Sequence, residues 1–295
     1  MVVEKTKTTT IILFVLRLMP RFVRKAIFIN LFMIFYLLDS RRRLIALHNL
    51  QRSFPEKNYR EIIRIGKGTY RHFAIVAAEF ADMPYITKDN VRKWLDVEGY
   101  ENYLTASAQG KGILSIVAHF GNWELLPIAI PIYARPIHIV YRPLDNKIID
   151  NIVEYVRTMR GNSLIPKGGS GKQIMDLLRE NQIIGILSDQ NVDTYEGVFV
   201  DFFGRPACTG VGLAVMAMRS GAPIIAIFPA RQKSGRYKVV VKPPFEAVRT
   251  GNYEADLVFN TQRFAKIIEE IVREYPEQWF WFHQRWKTKK HQKKK

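Results

Sequence analysis

His119 and Glu124 are the residues whose types and spacing point most directly to chemistry. A carboxylate hydrogen-bonded to one imidazole nitrogen fixes the tautomer and raises the basicity of the other, making the histidine a general base near neutral pH. On one continuous helix a five-residue step would set the two about 140° apart around the axis, out of each other's reach. Gly121 and Asn122 lie between them and supply a turn, so the sequence lets the pair meet. The run Gly112 to Ala118 reads as an apolar strand leading into His119, with a helix starting near Trp123. This puts His119 at the carboxyl end of a strand, where open α/β sheets carry their reactive groups.

The elements that must position this turn recur along the chain. Short apolar segments at Gly112 to Ala118, Ile137 to Tyr141, Ile183 to Ser188, Pro223 to Phe228 and Tyr237 to Val241 alternate with helical patterns such as Ile148 to Met159, Gly171 to Arg179 and Gly210 to Arg219. Near-continuous apolar strands between helices predict an α/β fold with a central, mainly parallel sheet covered on both faces. Another helix is expected from Tyr59 to about Asp82. Asp189 and Gln190 end one of the strands and are placed to face the same cleft.

The 295 residues suffice for one large domain with a substantial core. Lys and Arg number 45 against 27 Asp and Glu, a net charge of +18, while 47% hydrophobic residues exclude a solvated basic tail. Nucleic acid, a membrane surface and an acidic protein all fit that sign. The single cysteine, Cys208, forbids an intrachain disulfide and suits a small buried residue in a reducing compartment. From Ile11 to Leu38 the chain is mostly apolar, but Arg17, Pro20, Arg21, Arg24 and Lys25 interrupt it. The longest clean stretch, Ala26 to Leu38, would reach roughly 20 Å as a helix, against ~30 Å of hydrocarbon. Residues 1–40 are therefore expected to anchor at the interface, apolar on one side and basic on the other, with Arg41 to Arg43 among cytoplasmic headgroups. A buried helical hairpin is the competing expectation.

The hexapeptide His119-Phe120-Gly121-Asn122-Trp123-Glu124 resembles the H-x4-D/E signature of the glycerolipid acyltransferases, specifically the lipid A biosynthesis lauroyl/myristoyl acyltransferase family. Later blocks resemble that family in order: Tyr141 to Asn146, Arg157 to Gly161, Ser188-Asp189-Gln190, Phe202-Phe203-Gly204, Gly221-Ala222-Pro223 and Tyr275 to Trp279. The resemblance implies an acyltransferase domain over residues 41–287 with a glycerol-3-phosphate acyltransferase-like fold. It further implies transfer of a fatty acyl chain from an acyl-carrier-protein or coenzyme A thioester to a hydroxyl of a lipid A precursor, at the cytoplasmic face of a bacterial inner membrane. His119 would be the base, Glu124 its supporting carboxylate and Arg157, with Arg160 as the alternative, the donor to the developing oxyanion. Substrate contacts are expected from Asn122, Arg142, Arg160, Lys167, Asp189 and Gln190. The resemblance implies no covalent intermediate, bound cofactor or metal. Another lipid acceptor, a lysophospholipid or a glycosylated phosphoinositide, fits the same signature, and a non-enzymatic membrane- or RNA-binding protein is the alternative of another class.

Gly168-Gly169-Ser170-Gly171-Lys172 lacks the first glycine and the final Ser or Thr of a nucleotide-binding loop, because Pro166 and Gln173 stand there. It serves as a plain turn or as a cradle for a lipid or carrier phosphate. Trp279 to Lys287 alternates aromatic with polar or basic residues, which suits stacking on bases, seating at a membrane interface or packing on the core. His48, His72, His138 and His291 show no companion pattern, and residues 288–295, rich in lysine, are expected to be disordered.

Overall fold

The computed structural model describes residues 6–290. Four helices lead, α1 (Lys7–Leu18), α2 (Arg21–Leu38), α3 (Ser40–Ser53) and α4 (Tyr59–Glu79), followed by β1 (Leu95–Glu98) and α5 (Tyr100–Ser107). The alternating part runs β2 (Ile113–Val117), α6 (Leu126–Tyr133), β3 (Ile137–Tyr141), α7 (Lys147–Thr158), β4 (Ser163–Pro166), α8 (Gly171–Arg179) and β5 (Ile183–Leu187). A hairpin of β6 (Gly197–Phe202) and β7 (Arg205–Gly210), then α9 (Gly212–Ser220), β8 (Ile224–Arg231), β9 (Tyr237–Val241) and α10 (Tyr253–Glu274), complete the order.

Seven strands form one sheet in the order β1-β9-β8-β2-β5-β3-β4. The five from β8 to β4 are parallel, while β9 turns back antiparallel to β8 and carries β1 with it. The expected mainly parallel α/β sheet is therefore present. Its central strand β2 is buried on both faces: Leu114 and Ile116 enter one core with residues of α3, α4, α8, α9 and α10, and Ile113 and Val117 enter the other with α1, α6 and α7. A strand sealed on both sides reads as a continuous apolar run, which is why β2 and β5 were visible in the sequence. The strands β1, β4, β6 and β7 escaped it because their burial is mixed.

In the amino-terminal helices part of the expected basic side faces inward. Arg24 is 1% exposed, ion-paired with Asp82 and bonded to the Leu16 carbonyl, and Lys25 Nζ lies 2.7 Å from Glu79 Oε1. Arg17 and Arg21 lie over the rings of Tyr85 and Trp94. Of the groups expected among headgroups, Arg43 instead bonds the Tyr36 and Leu37 carbonyls at the end of α2, while Arg41 and Arg42 are exposed. The apolar side faces outward: Phe14, Leu18, Phe22, Leu37 and Leu38 are 57–77% exposed, with Ile11, Ile27 and Phe35 exposed beside them. No helix among the described residues is long and apolar enough to cross a membrane.

Of the expected disordered segment 288–295, residues 291–295 lie outside the described residues. Thr288 is held in place: its Oγ1 donates to the Val192 carbonyl, accepts from Asn191 Nδ2, and its backbone N–H donates to Asn191 Oδ1.

Candidate active site

Strands β2 and β5 lie side by side with Val117 opposite Leu187. Two residues past each, this register brings His119 beside Asp189. His119 Nδ1 donates to Asp189 Oδ1 at 2.8 Å, and the His119 backbone N–H donates to Oδ2 at 2.9 Å. Trp279 Nε1 donates to the same Oδ2 at 2.8 Å. Burial by itself would raise the Asp189 pKa, but the His119 imidazole and backbone and the Trp279 indole outweigh it and hold the carboxyl at about 2. Asp189 is then an acceptor only, so Nδ1 carries the ring proton and Nε2 is left as the base. The His119 side chain is 22% exposed and that of Asp189 1%, so the base meets the opening while its carboxylate is sealed behind it.

The expected pairing of His119 with Glu124 does not form. Glu124 lies in the short turn Trp123–Leu125, and its carboxylate is bound from the other side by Arg157 on α7. Arg157 Nε donates to Oε2 at 2.8 Å and Nη2 to Oε1 at 2.6 Å, while Trp123 Nε1 also donates to Oε1. Two of the three guanidinium nitrogens are therefore committed to Glu124, which argues against Arg157 as the oxyanion donor. Both groups line an apolar cavity of about 30 Å³ bounded by Val117, Leu126, Ile130, Ile139 and Leu187. Trp123 stands between this cavity and His119, its ring 5.3 Å from the imidazole. Gln190, next to Asp189, brings its amide to 3.4 Å from His119 Nε2, so it edges the same opening as the base.

A sequence profile of the bacterial lipid A biosynthesis acyltransferases matches residues 6–288. The chain belongs to that family. It is 28% identical to the lipid A biosynthesis palmitoleoyltransferase of Escherichia coli over 255 residues, 85% of this chain and 80% of the relative. It is 26% identical to the lauroyltransferase of the same organism over 252 residues, 85% and 80% of the two chains. With the phosphatidylinositol mannoside acyltransferase of Mycobacterium tuberculosis it shares 22% over 211 residues, 69% and 64% of the two chains.

The other residues expected at the acyltransferase site divide sharply. Asn122 is fully buried and donates to Glu79 Oε2, which also accepts from the Tyr237 hydroxyl, so Asn122 braces the turn and faces no substrate. Arg160 reaches across to the Ile86 carbonyl, a structural contact. Arg142, 78% exposed just past β3, and Lys167, bonded to Glu196 at 2.9 Å just past β4, stand at the carboxyl edge of the sheet. Trp279 and Trp281 are 1% and 0% exposed, so the aromatic segment packs on the core. Within it Arg285, buried, donates to the carbonyls of Gln190 and Cys208 and to Thr209 Oγ1, fixing the loop beyond Asp189. The family blocks and the aromatic–polar alternation of residues 279–287 both drew attention to Trp279, but neither pointed to its bond with Asp189 or to Arg285 by itself.

The turn itself is clamped from behind. Gly121 has φ +58°, and a Cβ there would lie 1.7 Å from the Pro229 carbonyl oxygen, so only glycine fits. The sequence reading passed over His72, yet its Nε2 lies 3.1 Å from the Gly121 carbonyl and must carry the proton donated to it. Burial pushes His72 from 6.5 to about 4. In the unfolded chain this ring takes up a proton at higher pH than in the folded one, so its stabilising effect is complete above pH 6.5 and lost as pH falls toward 4. Between pH 7 and 5 this comes to about 2 kcal/mol. His72→Gln, which keeps a donor for Gly121, is expected to lose that share of the acid sensitivity when denaturant midpoints are compared at the two pH values.

Proposed function

We propose that this acyltransferase moves a fatty acyl chain from an acyl-carrier-protein thioester to a hydroxyl of a lipid A precursor, with His119 as general base. The observation that carries this reading is the Nε2 of His119, oriented toward the opening beside the Gln190 amide because Nδ1 is engaged by an ionised, buried Asp189. Nε2 takes the acceptor proton as the oxygen attacks the thioester carbonyl. Asp189 stabilises the imidazolium that forms, and collapse of the tetrahedral adduct expels the carrier thiolate, which recovers the proton. The Gln190 amide is the oxyanion donor of this scheme. The first methylenes of the acyl chain lie against the apolar lining beyond Trp123, whose cavity of about 30 Å³ must open further to take the rest, and Arg142 at the strand ends, with Lys167 once it leaves Glu196, faces the phosphates of the acceptor. Palmitoleoyl- and lauroyltransferases of lipid A biosynthesis being the relatives at 26–28% identity supports this acceptor over a phosphoinositide.

The exposed apolar side of α1 and α2 seats the enzyme on the cytoplasmic face of the bacterial inner membrane in this reading, lying on the bilayer without crossing it. Incubating the purified enzyme with an acyl-carrier-protein thioester and a lipid A precursor should add one acyl chain, read by mass spectrometry. Gln190→Ala should lower kcat about 10²-fold, the usual effect of removing one oxyanion donor. An unchanged precursor mass sinks the assigned acceptor, and an unchanged kcat in Gln190→Ala sinks the role of the amide.

A further inference from the structure

The lysines that follow the aromatic segment do not drift free of the site. Thr288 joins them to Asn191 and Val192 by three hydrogen bonds. Asn191 is two residues beyond Asp189, at most about 7 Å of chain. Lys287, Lys289 and Lys290 are exposed and, among the described residues, carry no ion pair. Together with Asp193, Thr194 and Tyr195 they line an open depression of about 810 Å³. Asp193 is its one carboxylate, and the neighbouring Glu196 is already neutralised by Lys167. Tyr195, 82% exposed, is the one large ring on this surface, and of the large apolar residues between Phe280 and Lys290 none is exposed; a single ring among lysines is not the broad apolar seat that a bilayer requires, which lies on α1 and α2.

We propose that Lys287, Lys289 and Lys290 form the docking surface for the acidic carrier protein that brings the acyl thioester. This rests on the carrier being the donor, as set out above. A carrier seated there holds its flexible thioester arm next to the loop that carries Asp189 and Gln190, so the arm has only to cross that loop to reach His119. The Thr288 contacts give the lysines a fixed place; without them the same charges would attract the carrier with no preferred pose.

Binding of fluorescently labelled carrier, read by anisotropy without turnover, tests the surface directly, and steady-state kinetics test its use. Lys287→Glu/Lys289→Glu/Lys290→Glu should weaken carrier binding and raise its KM about tenfold or more. The same variant should leave kcat/KM for the acyl-pantetheine thioester, which has no protein attached, within about twofold. Thr288→Val, which keeps every charge and releases the side-chain contacts, should raise the carrier KM about threefold. Unchanged carrier binding in the triple variant overturns the proposal. So does an equal loss with acyl-pantetheine, which would mean a distorted site, or a rise in acceptor KM together with weaker binding to anionic vesicles, which would mean the lysines meet lipid. If the wild-type enzyme uses only acyl-coenzyme A, the donor assignment fails, and the anisotropy measurement decides the surface separately: no carrier binding ends it.

Discussion

Asp189→Asn is expected to lower kcat by about 10⁴-fold while leaving the fold and substrate KM nearly intact, as happens when the carboxylate of a Ser-His-Asp triad is neutralised. The reason lies in the hydrogen bonds at this one side chain. Oδ2 accepts from both the His119 backbone and the Trp279 indole, and Oδ1 accepts from the ring. An asparagine keeps its carbonyl oxygen toward the two fixed donors, which puts its NH2 toward His119 Nδ1. The ring must then accept at Nδ1 and carry its proton on Nε2, where the base has to be empty. His119→Ala should be as inactive, and the double variant no worse than either single one, because the two act as a unit. The pH profile separates this from a folding defect. Asp189 stays ionised down to about pH 2, so it contributes no ionisation of its own to the activity profile in the neutral range. A kcat within tenfold of wild type in Asp189→Asn would remove Asp189 from the mechanism.

Glu124→Ala should act mainly on stability, costing about 3–5 kcal/mol, because it strands a buried guanidinium. Arg157 and Glu124 have side-chain exposures of 10% and 8%, and the ion pair holds the Arg157 pKa above its ordinary value although burial alone would depress it. Out of a total stability of about 5–15 kcal/mol, such a loss leaves little margin at growth temperature. Replacing both partners, as in Glu124→Leu/Arg157→Met, should restore most of the stability, since no uncompensated charge remains. Denaturant melts of the three proteins decide the matter. If Glu124→Ala melts like wild type yet turns over no substrate, its carboxylate acts on the reaction directly, and the assignment to Arg157 is wrong. The geometry thus redistributes what the signature suggests: in the proposed mechanism the first residue of the H-x4-E pattern is the base, while the last is bound to Arg157 at the wall of the apolar cavity.

Much of this protein was legible without coordinates where the cause was local. The strands β3 and β9 and the helix α8 have the bounds read from the sequence, because their apolar periodicity is set by burial repeating along the chain. The position of His119 at a strand end followed from the apolar run before it and the glycine turn after it. Gln190 and Asp189 were placed at the same cleft by the same rule, as substrate contacts, but Asp189 is buried and bonded to His119 instead. The misplaced residues share a different feature. Asn122 and Arg160 are polar groups near the signature, and short sequence distance made them look like substrate contacts. Their side chains turn away to Glu79 and to Ile86, partners 43 and 74 positions distant. His72 and Arg285 were missed for the complementary reason, since the groups they hold, Gly121 and the Gln190 and Cys208 carbonyls, lie 49 or more positions away.

The sequence by itself determined the α/β class, the family and the place of His119 at a strand end, since apolar patterning and motif spacing are properties of neighbouring residues. The tertiary structure alone decided which carboxylate serves the base and which way the charges of the amino-terminal helices point. Both depend on pairing between segments far apart: the β2–β5 register joins His119 to Asp189 across 70 positions, and the packing of α2 against α4 joins Arg24 to Asp82 across 58. A buried charge takes whichever partner the packing brings within reach, because an unpaired one is costly. That choice is made by the sheet and the helix layer, and the spacing of residues along the chain does not record it.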